Sequence, residues 1–364
     1  MAITINSSVD SGFGYSLGKS SLKEVTISNF IKKISEKDAK ILSQKIDSPS
    51  PDKLIIEYDN QYYVMGKLAT KADPSLKRYS TNNRIGDIYH LIEILATLGL
   101  LCDTSKSFDT NLIVGLPNKL RDDKNDMADW LKKEWKFSYL TKNNKIDKIA
   151  NVIQVAVIEQ PIGAIYNLSQ EEIDDVNIIS CDIGHATADC CLMTNGVLSI
   201  NNKDWIAIDG VKRCYIDLKD RLIDKFQKKY DIYDITESDL QVAIETGMFK
   251  LKKNNIDISE ILNNILNDYA EYIVREIEDR YADYLSKADY VIGSGGIMNN
   301  RYFVQTLSDK LSKSKITFAM FDNPQKSIVN GMFNIANILF EDDFNTNENS
   351  NIISKEEVAS DGEK

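Results

Sequence analysis

The run from Ile178 to Ile200 constrains the fold more than any other stretch of the chain. Apolar residues lead into Asp182, a turn carrying Gly184 follows, and a second apolar run from Ala188 to Met193 closes on Asn195-Gly196, the strongest two-residue hairpin signal. The pattern predicts strand, turn, strand, turn, strand. A glycine-containing turn lets backbone N–H groups approach an anion with no Cβ in the way, so the turn is the candidate site. Asp182 stands beside that cradle, and Thr187 and Asp189, just past it, offer a hydroxyl and a second carboxylate.

The same construction occurs at the start of the chain. Ile3-Thr4-Ile5 leads through Val9 into Asp10-Ser11-Gly12-Phe13-Gly14, with a return strand expected between Tyr15 and Ile27. Asp10 and Asp182 are each expected at a strand end before a glycine turn, one per half of the chain. A carboxylate aimed at a triphosphate is repelled by about 3 kcal/mol per charge pair at about 5 Å and an effective dielectric of about 20. Two are tolerable with a divalent cation between them, so the pairing predicts Mg2+ as well as nucleotide.

With these motifs in order, the chain resembles the actin-like ATPase superfamily. A first phosphate loop is Asp10 to Gly14, a first interdomain connection is Glu159-Gln160-Pro161-Ile162-Gly163-Ala164, and a second phosphate loop is Asp182 to Asp189. An adenosine loop, Val291-Ile292-Gly293-Ser294-Gly295-Gly296, and a second connection from Asn323 to Gly331 complete the series. Each motif alone is weak, but five in order across most of the chain are specific.

The resemblance implies an α/β, ribonuclease H-like fold of two lobes, two mixed sheets flanked by helices, with nucleotide in the cleft. Lobe I would span 1–163 with a small inserted subdomain at about 30–70, and lobe II 164–322. Residues 323–340 would return to lobe I, ahead of an acidic tail at 341–364. Asp10 and Asp182 would hold Mg2+. Ser11, Gly12, Phe13, Gly14, Gly184, Ala186, Thr187 and Asp189 would cradle phosphate, and Gly293, Ser294, Gly295 and Gly296 would meet the adenosine. Register against Pro161 places Gln160 at the water-positioning site. Its neighbour Glu159 could act as a base, whereas Gln only orients water. Two departures stand out. The superfamily's phosphate lysine falls seven residues past the first aspartate, where this chain has Leu17 and offers Lys19 two residues later. His185 stands where many members have glycine. Glu245, with Lys250 beyond it, lies in a segment resembling the helix that flanks the adenine.

Between the motifs, Asn29 to Gln44 reads as a polar helix, Leu54–Tyr58 and Tyr62–Met65 as a hairpin across Asp59-Asn60, and Ile85 to Leu101 as a core helix. A helix is expected over Asp122 to Trp135 and a long one over Ile258 to Lys287. The segment from Glu341 carries a net charge of −6 with few apolar residues, which predicts a disordered tail.

The net charge of −11 argues against direct binding to nucleic acid phosphates. The five cysteines show no metal-ligand spacing, and with two histidines a histidine metal cluster is excluded. No basic and apolar leader or spanning segment is read, so a cytoplasmic protein without membrane attachment is expected. A hydrolase triad fails for want of a G-x-S-x-G elbow, and a Rossmann domain fails because neither glycine turn fits G-x-G-x-x-G.

Within the superfamily the length, the Tyr62-Tyr63-Val64 segment and the Leu112–Pro117 strand resemble clostridial ParM-type plasmid-segregating actins. That resemblance implies a filament of this chain that forms with ATP or GTP, hydrolyses it, and reaches DNA through a ParR-like adaptor. An MreB-like cell-shape scaffold and an actin-fold small-molecule kinase are the alternatives.

Overall fold

The computed structural model describes residues 3–341, apart from 80, 82, 103, 104, 231 and 233. The acidic tail expected at 341–364 lies, beyond Glu341, outside the described residues. Two mixed sheets organise the chain. The first comprises Ile3–Ser11 (β1), Tyr15–Ser20 (β2), Glu24–Ser28 (β3), Ile31–Ile34 (β4), Leu54–Tyr58 (β5), Gln61–Met65 (β6), Ser107–Leu116 (β7), Glu134–Leu140 (β8) and Lys145–Glu159 (β9). Their spatial order is β3-β2-β1-β7-β9-β8-β5-β6-β4, with β7 parallel to both β1 and β9.

The second sheet draws on Ile178–Ile183 (β10), Thr187–Thr194 (β11), Val197–Leu198 (β12) and Trp205–Asp209 (β13). Met248–Leu251 (β14) and Asn254–Asp257 (β15) form a separate hairpin, and Tyr290–Ser294 (β16) and Phe318–Met320 (β17) return to the sheet. The order is β12-β11-β10-β16-β17, with β13 pairing the earlier part of β11 on the same side as β12. β10 lies parallel to β16 and antiparallel to β11, as β1 lies parallel to β7 and antiparallel to β2.

Each lobe builds its own apolar core. The Ile88–Leu101 helix is buried along nearly its whole length and packs on the first sheet, with Leu95, Leu98 and Leu101 in one cluster with Val9, Leu112 and Phe137. In the second lobe the Ser259–Arg280 helix contributes Ile265, Leu266, Ile273 and Ile277 against Ile179, Cys190 and Phe303. A third cluster joins them: Ile162 and Ile165 of the Gln160–Ile165 helix pack with Ile328, Met332 and Ala336 of the Ser327–Glu341 helix, and with Ile113 and Ile178.

The hairpin at Asp59-Asn60 forms as expected, both residues adopting positive φ (47° and 57°), the backbone of a tight two-residue turn. Three helix expectations need correction. Asn29 to Gln44 splits into β4, paired to β6, and a helix over Glu36–Ser43 capped by Ser35, whose side chain accepts from the Asp38 N–H. Asp122 to Trp135 divides into a 3-10 turn at Asn118–Asp123, a helix at Lys124–Leu131 and the start of β8. The long helix stops at Arg280, and a separate short turn of helix covers Ala282–Leu285. No helix among the described residues is long and apolar enough to cross a membrane.

Candidate functional site

Asp10 and Asp182 are the penultimate residues of β1 and β10. The two hairpins that follow them are built alike. Gly12 N–H donates to the Tyr15 carbonyl at 3.0 Å, and Gly184 N–H donates to the Thr187 carbonyl at 2.9 Å. Across each ladder the aspartate faces the residue seven positions on, Asp10 opposite Leu17 and Asp182 opposite Asp189. The hairpins meet face to face around a cavity of about 80 Å3 lined by Asp10, Gly12, Phe13 and Gly14 on one side and by Asp182, Gly184, His185, Ala186, Thr187 and Asp189 on the other.

Gln160, the first residue of its helix, donates from Nε2 to Asp10 Oδ1 at 2.5 Å and also lines this cavity. Glu159, the last residue of β9, is 2% exposed and turns elsewhere: Arg121 Nε lies 2.6 Å and Lys124 Nζ 3.3 Å from Oε1. The change from strand to helix between the two residues sends their side chains apart.

The carboxylates crowd one another. Burial holds the Asp10 carboxyl above its usual range, against the Gln160 hydrogen bond and the nearby Arg84 charge. Burial raises Asp182 far above, and the negative charges of Asp10 and Asp189 push it further. Asp189 is likewise raised by burial, although Thr187 Oγ1 at 2.6 Å and the Asn118 N–H at 3.0 Å donate to it. Among the described residues no group of three or more His, Cys, Asp or Glu could enclose a metal ion. Asp10 and Asp182, close enough for one charge to oppose the other, are carboxylates of the kind that Mg2+ takes one or two of from a protein.

A larger cavity of about 290 Å3 continues from the first, sharing Gly14, Tyr15, Gly184, His185, Gly296 and Gln325. Tyr15, Tyr215, Arg78, Ile244 and Glu245 wall it on one side, and Gly296, Ile297, Asn299 and Asn300 close the other. Rings and aliphatic side chains beside a few polar groups suit a flat heterocycle. His185 is held away from free rotation: its Nε2 lies 3.4 Å from Glu237 Oε1 and its ring meets Tyr215 edge-on at 4.9 Å. Burial lowers its pKa.

Several expected contacts lie outside these cavities. Lys19 Nζ donates to Asn330 Oδ1 at 2.9 Å and lies 3.2 Å from Glu24 Oε1. Lys250 is exposed on β14. Gly293 packs inward, where a Cβ would meet Met298 and Phe318 side chains at 2.6 and 2.7 Å. Ser294 is fully buried with its Oγ 3.4 Å from Asp182 Oδ1, while Gly295, at φ +99°, carries the chain past Asp182 into the cavity wall. Ser11 is buried behind the first loop, its carbonyl accepting from Arg84 Nη1 at 2.7 Å.

Sequence reasoning passed over Tyr15, Arg78, Arg84, Asn118, Tyr215, Asn299, Asn300 and Gln325. Asn118 ties the lobes behind the site, its Nδ2 donating to the Cys190 and Ile206 carbonyls, each at 2.8 Å. Arg78 ties them in front, where its N–H donates to Glu237 Oε2 at 2.9 Å, its Nη2 donates to Gln241 Oε1, and its guanidinium lies 4.7 Å from the Phe30 ring centre. The basic composition of the 77–84 segment was the available signal for the two arginines.

Paired sheets of this topology, with equivalent hairpins facing one cleft and two connections crossing beneath it, define an actin-like fold. Residues 8–163 match the family of actin-like protein N-terminal domains, and residues 177–321 match the Alp7A C-terminal domain. The chain belongs to the actin-like proteins, with an N-terminal domain of that family and an Alp7A-type C-terminal domain. No individually curated protein matches it in sequence. Among solved structures, the actin-like protein Alp7A is similar at 14% identity with a TM-score of 0.74, covering 94% of this chain and 98% of that one. The subunit of a 15-stranded ParM filament from Clostridium botulinum is similar at 17% identity and TM-score 0.75, covering 93% and 100%. ParM from Bacillus thuringiensis, solved with ATP, gives 14% identity and TM-score 0.66, covering 93% and 99%.

Proposed function

We propose that this chain is a nucleoside triphosphatase that polymerises with ATP or GTP, comes apart after hydrolysis, and segregates plasmid DNA through an adaptor. The observation that carries the reading is the pair of equivalent aspartate–glycine hairpins facing each other across one cavity, with Gln160 bonded to Asp10 between them. Two similar structures, a ParM filament and a ParM with ATP, support it.

The residues divide the work. Phosphate enters between the turns at Gly12–Gly14 and Gly184–Thr187, where backbone N–H groups meet it. Asp10 and Asp182 would hold Mg2+, which supplies the positive charge that lets carboxylates and phosphate share the site. Gln160 orients water, and Glu159, committed to Arg121 and Lys124, keeps the start of the connecting helix in place. The base occupies the larger cavity beside Tyr15, Tyr215 and Glu245, against Gly296. We place the lobe division at 163/164 and the return to lobe I at 323–340.

A γ-phosphate gripped from both lobes links them, and its loss frees the lobe angle. Subunits joined head to tail by a heterologous contact read that angle along a filament. An acidic chain reaches DNA through a basic, ParR-like adaptor rather than directly. Light scattering after nucleotide addition tests the reading: a rise that decays as phosphate is released supports it. A monomer that turns over nucleotide only with a small-molecule acceptor would replace it with a kinase.

A further inference from the structure

We infer that Arg84 is the cation that binds the nucleotide phosphates in this chain, because the return strand of the first hairpin brings no charged side chain into the cavity. The inference rests on the nucleotide reading above. The position opposite Asp10 is Leu17, whose side chain lines the phosphate cavity and carries no charge. Lys19 is engaged with Asn330 and Glu24. Among the described residues lining this cavity, Arg84 is the one lysine or arginine. A pocket holding Asp10, Asp182 and Asp189 needs positive charge from the protein as well as from a metal if it is to accept a polyanion.

Arg84 is placed for that task. It is 3% exposed, and Nη1 alone makes its hydrogen bonds, to the Ser11 carbonyl at 2.7 Å and to Ser11 Oγ at 3.3 Å. Its centre lies 5.0 Å from the Phe13 ring centre, within the same phosphate loop. The other guanidinium N–H groups have no hydrogen-bond partner among the described residues. A guanidinium stays charged and carries five donors in a fixed planar fork, so one edge can hold Ser11 while another takes a phosphate oxygen. Its delivery is fixed from outside the hairpin: Asp87 caps the Ile88–Leu101 helix through the His90 N–H at 2.9 Å and accepts a hydrogen bond from Tyr79 Oη. Arg78 enters the base end of the cavity from the same connecting segment, so one stretch of lobe I supplies a cation at each end of the cleft.

The test compares ATP and AMP affinity in Arg84→Gln and wild type, with thermal melting as the control for folding. Loss of one charge-assisted contact should weaken ATP by about 10- to 100-fold and leave AMP much less affected. Leu17→Lys in the Arg84→Gln background should restore ATP binding, because residue 17 already faces the phosphates. A folded Arg84→Gln that binds ATP like wild type, or loses ATP and AMP equally, confines Arg84 to holding Ser11 and overturns the inference. If Arg84→Gln does not fold, Arg84→Lys takes its place; its single nitrogen can keep Ser11 but cannot span to phosphate, so the same selective loss of ATP is expected. Wild-type protein that binds no nucleotide overturns the inference and the underlying reading together, which separates the two failures.

Discussion

Gly331 lies so close to Gly163 that a Cβ on Gly331 would fall 1.7 Å from the Gly163 carbonyl oxygen. A Cβ on Gly163 would in turn fall 2.5 Å from the Ile328 carbonyl. The two connections between the lobes therefore cross at backbone contact. Gly331→Ala must push the helices apart, and a destabilisation of about 1–3 kcal/mol is expected. Thermal melting checks it; an unchanged midpoint would mean that the crossing yields without cost.

Asp182→Ala is expected to abolish Mg2+-dependent hydrolysis and weaken nucleotide binding while the fold persists, since it relieves rather than creates crowding of buried charge. Phosphate release and melting measured on one sample decide the matter. Normal turnover would sink the site assignment.

Gln160→Ala and Glu159→Ala should separate cleanly. The first is expected to slow hydrolysis by on the order of 10²-fold with binding nearly intact. The second removes the buried partner of Arg121 and Lys124, which are 26% and 37% exposed and can turn to water, so its effect should appear in stability rather than turnover, at about 1 kcal/mol. Exchange of the two phenotypes would reverse the roles.

Glu93, 2% exposed on the Ile88–Leu101 helix, has its pKa pushed up to about 8 by burial, against the pull of Arg84. The folded protein thus holds a proton that the unfolded chain releases at lower pH. Stability should be fullest below the ordinary glutamate range and fall as pH rises towards about 8, by at most about 1.4 kcal/mol per pH unit. Glu93→Gln is expected to flatten that slope. Urea melts between pH 5 and 8 measure it, and a slope unaltered by the substitution would assign it to other groups.

The parts legible in the sequence are those written locally. Asp10 and Asp182 announce themselves because a strand, an aspartate and a glycine turn are contiguous, and Asp59-Asn60 because a tight turn needs particular residues. Asn29 to Gln44 misled because Ile31 and Ile34 sit three apart, a helical spacing, although tertiary pairing with β6 makes the segment a strand. Arg84 escaped notice because its partner, Ser11, is 73 residues away and its own segment lacks periodicity. Lys19 shows the converse: the residue type suits phosphate, yet its position along β2 gives it to Asn330.

The first sheet ends in β3 on one side and β4 on the other, and β4 carries Lys32 and Lys33 along its unpaired edge. The second sheet ends on one side in β17, of three residues, and on the other in β12, of two, with the five-residue β13 beside it. Charged or very short borders are poor templates for adding a strand from another molecule. These margins of the two sheets are thereby blunted against strand addition. Under the filament reading proposed above, contacts between subunits would run through side-chain surfaces that can let go, rather than through backbone ladders that would not.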